Sequence, residues 1–379
     1  MSVFIVNPNG YSAAEIDGAL RMRGWRKGNS RRVSFRYDLL DKNDIKIGQL
    51  DGISGKIDFG EFNAIKRSAR FSINEYLQHE IDYLSHEIEP WFILHMPGGG
   101  VVEWPLGVFL LESPNRVIRG KTSGREIGAY DRTIVIEEDK FTERYFIAEG
   151  TNYVGAIVKM LNESGITRIN ITPSPMELRE DREIPAGEKK KDAINTLLSE
   201  INYKSIGADE RGVLFSAPYI EPSLRPVTQI YSAKRESIID PGFTLGWELA
   251  GKANVFTRVV RNLGGASELI STFANDSPLS PLSTINRGRR IPDYQEIDDI
   301  PDQASLDVYV KRAAIEASSV YNPITFGTAL MPTHGSADTL FCEFPTVFEG
   351  AQKFEETAWG LDLRFDGLMT HEARRVTAL

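Results

Sequence analysis

The chain of 379 residues has one cysteine, Cys342. No disulfide can form within it, and no zinc site built on thiolates is available. The thiol lies in the apolar run TLFCEF, which reads as a strand, so a buried and inert side chain is expected. No neighbouring base completes a nucleophile pair. Long apolar stretches are missing too. The longest is about six residues, Trp91 to Met96, against the ~20 that span a bilayer. The opening MSVFIVNPNG lacks the basic start and apolar core of a leader. The expectation is a soluble protein made in a cytoplasm, with no membrane partner. An excess of positive charge is also absent: 44 Lys and Arg face 53 Asp and Glu, a net charge of −9. A dedicated nucleic-acid binder is usually basic. An acidic chain can sit beside DNA without holding it, because like charges repel.

What is present is ordinary globular material. Hydrophobic residues make up 41% and charged residues 26%, enough apolar surface for real cores. The length predicts two or three domains, since single cores rarely exceed roughly 250 residues. Residues 1–30 form a basic arm. Within it, RMRGWRKGNSRR at 21–32 holds six basic residues and no acid, and Gly24, Gly28 and Asn29 break any regular element. Arg21, Arg23, Trp25, Arg26 and Lys27 are the candidate partner contacts. Cations with an interleaved aromatic suit nucleic acid; solvent or an acidic neighbouring subunit suits them as well.

From Val33 the pattern alternates with period two, in VSFRYDLL, IKIGQL, ISGKIDFG and IKRSARFSI. Asp41 and Asn43 suit the first turn. In the last run Ile65, Arg67, Ala69, Phe71 and Ile73 share one face, and Lys66, Ser68, Arg70 and Ser72 the other. Leu77, Ile81, Leu84 and Ile88 fall at helical spacing before Pro90. WFILHM, VEWPLGVFLLES and GREIGAYDRTIVIEED add strands, with Pro97–Gly100 as a turn. Residues 31–139 thus read as one β domain. Near 140 the texture changes. Val154, Ile157, Val158 and Leu161 form a helical stripe, capped by Thr151 or Asn152 and stopped at Gly165. Ala193, Ile194, Leu197, Leu198 and Ile201 form another, followed by a hairpin through Asp209–Gly212. This predicts a mixed α/β module over 140–240. Residues 241–379 read as a second β domain. They contain a long loop at 264–292, rich in Ser, Pro, Gly and Arg, and a helix capped by Asp302 that buries Leu306, Val310, Ala313, Ala314 and Ala317.

No motif carries chemistry by its spacing. His79 and His86 are two helical turns apart and lack a third ligand. PGGGVVEWPLG has no GK[ST] after it and reads as a loop between strands. His334, Ser336 and Asp338 resemble the parts of a hydrolase triad, but no G-x-S-x-G elbow exists and a turn explains their types. Residues 293–302 hold five acids without a base; solvated strand, channel lining and cation site all remain open readings. No catalytic, cofactor-binding or metal residue is predicted, and no cofactor.

The order of segments says more. YDLLDKNDIKIGQLDGISGKIDFGEFNAIKRSARFSINE resembles the opening strands of bacteriophage tail-hub and baseplate-hub proteins. WPLGVFLLESP resembles the next landmark of that family. IPAGEKKKDAINTLLSEINYKSIGADERGVLFSAPYIEPSLRP resembles its inserted module. DQASLDVYVKRAAIEASSVY, PTHGSADTLF and TAWGLDLRFDGLMTHEARRV resemble its second tube-like domain. Together these runs span about 31–379.

The resemblance implies an α+β, mostly β fold: two tail-tube-like β-barrel domains with the mixed module between them. It implies a non-enzymatic hub in the virion, assembled in a bacterial cytoplasm, three copies to a ring. Its expected partners are tail-tube or distal-tail proteins on one side and a tip, spike or tape-measure protein on the other. DNA passes without specific binding. Two β domains per chain give a threefold ring a surface that matches a sixfold tube. Asp293, Glu296, Asp298 and Asp299 are the candidate channel-lining residues, while Lys66 and Arg70 are expected to face a neighbouring subunit or solvent. The competing readings are a tail-associated cell-wall or ester hydrolase, and the hub of a headless contractile particle.

Overall fold

The structure is a computed structural model, and it describes residues 4–22, 31–74, 81–119, 122–233, 238–246, 251–260, 268–297, 300–319 and 323–376. Strand accounts for 43% and helix for 17%, so the fold is mainly β with α+β character. It opens with α1 (Ala13–Leu20), an element the sequence reading did not contain. Its start does carry a signal: Ser12 and Glu15 form a capping box, each side chain accepting from the other's backbone N–H.

The first β region comprises β1 (Arg32–Leu40), β2 (Lys46–Leu50), β3 (Ser54–Gly60), β4 (Arg67–Asn74), β5 (Glu87–His95), β6 (Val101–Pro105), β7 (Phe109–Arg119) and β8 (Thr122–Asp131). At the β1–β2 turn the Asp41 carboxylate accepts from the N–H groups of Asn43 and Ile45. In β4, Arg67, Ala69, Phe71 and Ile73 are buried and Arg70 and Ser72 exposed, the alternation that period two predicts. The helix expected around 77–88 is not there in the described part. Asp82 accepts from Leu84 N–H and the Ser85 hydroxyl, forming a turn, and Ile88 is already in β5. A short acidic side chain that bonds local amides competes with helix formation.

The middle of the chain contains α2 (Ile134–Glu138), β9 (Tyr145–Ile147), α3 (Tyr153–Glu163), β10 (Ile169–Ile171), β11 (Arg182–Ile184), α4 (Lys190–Glu200), β12 (Gly207–Ala208) and β13 (Leu214–Ser216). Asn152 caps α3 through Gly155 N–H, and Gly165 beyond it takes φ +78°. Both stripes read from sequence meet in one core with Ile157, Leu161, Ile194 and Leu198. TIVIEE, read as strand, is instead the short helix α2. Asp131 accepts from Thr133 N–H and turns the chain just before it.

The remainder holds β14 (Gln229–Ser232), β15 (Ile239–Leu245), β16 (Val255–Val260), β17 (Leu269–Ala274), α5 (Thr284–Arg287), β18 (Pro292–Ile297), α6 (Gln303–Ser319), β19 (Pro323–Ala329), β20 (Thr339–Glu343), β21 (Ala351–Asp362) and β22 (Leu368–Arg375). Part of the stretch read as a long loop, 264–292, is therefore strand: β17 pairs antiparallel with β16. Asp302 caps α6 by accepting from Ser305 N–H. Leu306, Val310 and Ala314 pack on Phe256 and Val260 of β16, a third small core.

The main sheet follows the path β15-β19-β22-β21-β3-β4-β8-β7-β5-β1-β2. Two closed barrels were expected; the sheet is open. The reason lies in β21, 12 residues long. Its first half pairs with β20, and its second half pairs with β3 from Ala358↔Gly60 to Asp362↔Lys56. The edge that could close the first region is thus spent on joining the second. One hydrophobic core runs through both, from Phe59 and Phe71 to Trp359 and Phe326.

Candidate functional site

The second β region buries an unusual polar group. His334 lies between β19 and β20, Glu356 on β21 and His371 on β22, all essentially inaccessible. Each imidazole Nδ1 stands 2.6 Å from a different oxygen of Glu356. The outer nitrogens are also held: His334 Nε2 is 2.6 Å from the Tyr231 hydroxyl and His371 Nε2 is 2.8 Å from Thr328 Oγ1. Burial alone would raise the Glu356 carboxyl, but His334 and His371 hold it down at about 2. Burial opposes charging of both imidazoles. For His334 the nearby Glu356 more than offsets this and its pKa rises; for His371 burial wins and its pKa falls. The group is therefore one carboxylate shared by two imidazoles, of which His334 takes up a proton more readily than His371.

The triad-like reading of His334, Ser336 and Asp338 does not survive as geometry. Ser336 Oγ donates to Glu61 Oε2 at 2.7 Å, and His334 Nδ1 is 3.9 Å from Asp338 Oδ2. Sequence reasoning reached His334 and Asp338 but missed Glu356, His371 and Tyr231. These converge from separate strands, and a bulge between Glu356 and Ala358 breaks the parity of β21. Cys342 on β20 is fully buried, and burial raises its pKa, as expected for an inert thiol.

Lys66 overturns its expected orientation. It is buried inside the chain, where Nζ donates to Glu61 Oε1 at 2.8 Å and approaches Ser205 O. It belongs to a junction where the β3–β4 turn meets the middle of the chain. Arg70 on the same strand face is exposed. Lys204 enters the same junction. Burial, aided by Arg225 and Lys66, pushes its amine down to about 8 against the pull of Glu61. An unfolded lysine titrates near ~10.4. Below the folded value both states hold the proton and folding bears the full desolvation cost; the cost fades as pH climbs from the folded to the unfolded value. Lys204→Met should therefore stabilise the protein by roughly 1–2 kcal/mol near pH 7 and much less near pH 10. Urea unfolding at the two pH values measures this.

A cleft of about 520 Å³ opens beside the β1–β2 turn, lined by Asp44, Glu87, Arg132 and Arg168 among others. Its charges bind one another: Arg132 pairs with Asp44 and Glu87, and Arg168 with Asp44 at 3.0 Å. That arrangement ties the middle of the chain to the first β region. The PGGG stretch is a loop between β5 and β6, with Gly99 and Gly100 at φ +96° and +75°.

On the surface, Asp293 and Glu296 lie on the exposed strand β18, and Asp293 pairs with Arg258 at 2.9 Å. Asp298 and Asp299 lie outside the described residues, as do Arg23, Trp25, Arg26, Lys27 and His79. Arg21 is held within its own chain, by Asp17 at 2.8 Å and by the Ile230 carbonyl at 3.0 Å. The two ends of the sheet path expose apolar side chains: Ile47 beside Ile45 at β2, and Leu245 at β15. Among the described residues no helix is long and apolar enough to cross a membrane.

No protein-family model matches the sequence, and no curated protein matches it. Solved structures do. The fold is that of phage and prophage tail proteins. A tail protein from Neisseria meningitidis MC58 aligns with a TM-score of 0.65 at 11% identity, over 90% of this chain and 97% of that one. The 43 kDa tail protein of prophage MuSo2 from Shewanella oneidensis aligns at 0.62 and 9% identity, over 90% and 98%. A chain of the Francisella PdpA–VgrG complex aligns at 0.54 and 8% identity, over 96% of this chain and 61% of that one.

Proposed function

We propose that this chain is a structural hub of a phage tail tip or baseplate. Three copies form a ring that joins the tail tube to a tip or spike protein and frames the central channel. The likeness over 90% of this chain and 97% of the Neisseria tail protein carries the reading, because it takes in both β regions and what lies between them. Two further features support it. The long strand β21 fuses the two β regions, as a threefold object needs if it is to offer six similar surfaces to a tube. The strand path also ends on two different edges, β2 and β15. Different edges suit a head-to-tail contact that closes into a ring and covers strands that would otherwise aggregate.

The role is structural, without turnover, and the protein acts within the virion after assembly in the host cytoplasm. DNA crosses the ring without specific binding. Asp293 and Glu296, with Asp298 and Asp299 beyond them, face the bore, while the 21–32 arm lies outside it against an acidic partner. An acidic lining keeps DNA moving, since each cation on a phosphate adds a step of counterion release and recapture. Cross-linking of intact particles followed by mass analysis should give trimers of this chain. Six copies per ring, or a bore lined by the arginines of 21–32, would overturn the proposal.

A further inference from the structure

We propose that His334, His371 and Glu356 form a binding site for a divalent metal ion of the zinc type inside the second β region. The proposal stands apart from the hub reading. The sequence offers no ligand spacing for it; only the fold assembles the donors.

The three residues offer ligand atoms that lie within 4.8 Å of one another. Two imidazoles and a carboxylate are a set that zinc-type ions take. The outer nitrogens are arranged as they are around protein-bound metals. Each Nε2 meets a hydroxyl, Tyr231 or Thr328, which fixes the ring and leaves Nδ1 aimed inward.

The Glu356 carboxylate is buried and faces both imidazoles, and a divalent ion bound among them would displace the ring protons directed at it.

The donors are sealed from solvent, so loading belongs to folding. The test unfolds the wild-type protein and refolds it with zinc ions, with cobalt ions, or with a chelator. Excess ion is removed and metal content measured by mass spectrometry. The expected result is close to one zinc per chain, visible cobalt bands of an N/O site, and a melting midpoint about 5–10 °C above the chelated protein. His371→Asn and Glu356→Gln should each lose the ion. Wild-type protein that refolds to the same midpoint in all three buffers and carries no ion overturns the proposal, and that arm needs no variant to fold. Retention of the ion by either variant overturns it as well.

Discussion

Trp359→Ala should cost about 3–5 kcal/mol and loosen both β regions in a single unfolding transition. Trp359 sits where β21 has left β20 and begins to pair with β3. It is directly opposite Phe59 in the register, and the two rings stack at 5.4 Å with planes 15° apart. Both are almost fully buried. The Arg67 guanidinium lies 5.6 Å over the indole, and the indole N–H donates to the Gly335 carbonyl at 3.2 Å. One side chain thus touches the first region, the second region and the loop that carries His334. Truncation leaves a cavity in the seam and an unpaired Gly335 carbonyl, and neighbours anchored on three sides cannot collapse to fill it. Equilibrium unfolding in urea, followed by fluorescence and by backbone circular dichroism, should show one coincident shift. As a control, Phe341→Ala on β20, where the ring is 38% exposed, should cost far less. Two separate transitions in the wild-type protein would show that the seam does not couple the regions.

That seam marks the limit of what the sequence discloses. Strands and helices were legible wherever one local period governs burial. β4 alternates as written, α3 and α4 place their stripes in one core, and Asn152 and Asp302 cap helices as their types predict. The order of segments was enough to point to tail proteins. The open sheet was not legible. Whether an edge strand closes its own barrel or pairs with another region is a long-range choice, and β3 carries the same alternation either way. The His–Glu–His group was hidden for a related reason. In β21 the inward residues run Phe354, Glu356, Trp359, Leu361, with one extra residue at the bulge. A strict period of two would place Glu356 and Trp359 on opposite faces. Glu356 then reads as a solvent-facing acid, and His371, in an alternating polar run, as its exposed counterpart. Lys66 was misplaced because period two says which face a side chain takes but not what covers that face. Here Ser205 comes from 139 residues away. Leu77, Ile81, Leu84 and Ile88 mimic a helix, and Asp82 decides against it through hydrogen bonds that spacing does not register.

Glu356→Ala is expected to be as damaging, about 3–5 kcal/mol, even though it removes few apolar contacts. The two oxygens accept from His334 and His371 at 2.6 Å each. Without them two ring nitrogens deep in the sheet lose their partner, and His334 loses the carboxylate that raised its pKa. Burial then disfavours a charged His334, and the neutral ring accepts a hydrogen bond from the Tyr231 hydroxyl at Nε2. That rearrangement returns part of the loss but leaves His371 without an acceptor on Nδ1. Glu356→Gln should fall between wild type and Glu356→Ala. Its amide keeps the volume and one acceptor oxygen, while its NH2 group meets an imidazole N–H unless that ring changes tautomer. The effect should reach beyond the site. Glu356 N–H donates to Asp338 O at 2.9 Å, and the neighbouring Thr357 carbonyl accepts from Glu61 N–H at 2.8 Å, so the bulge anchors the loop at 334–338 and the β3–β4 turn together. Hydrogen exchange on the alanine variant should show lost protection at Glu61 and in β20 and β22, with β5 and β7 little changed. Protection lost evenly across the whole sheet would mean that the buried group stabilises the fold only in bulk and does not hold this junction.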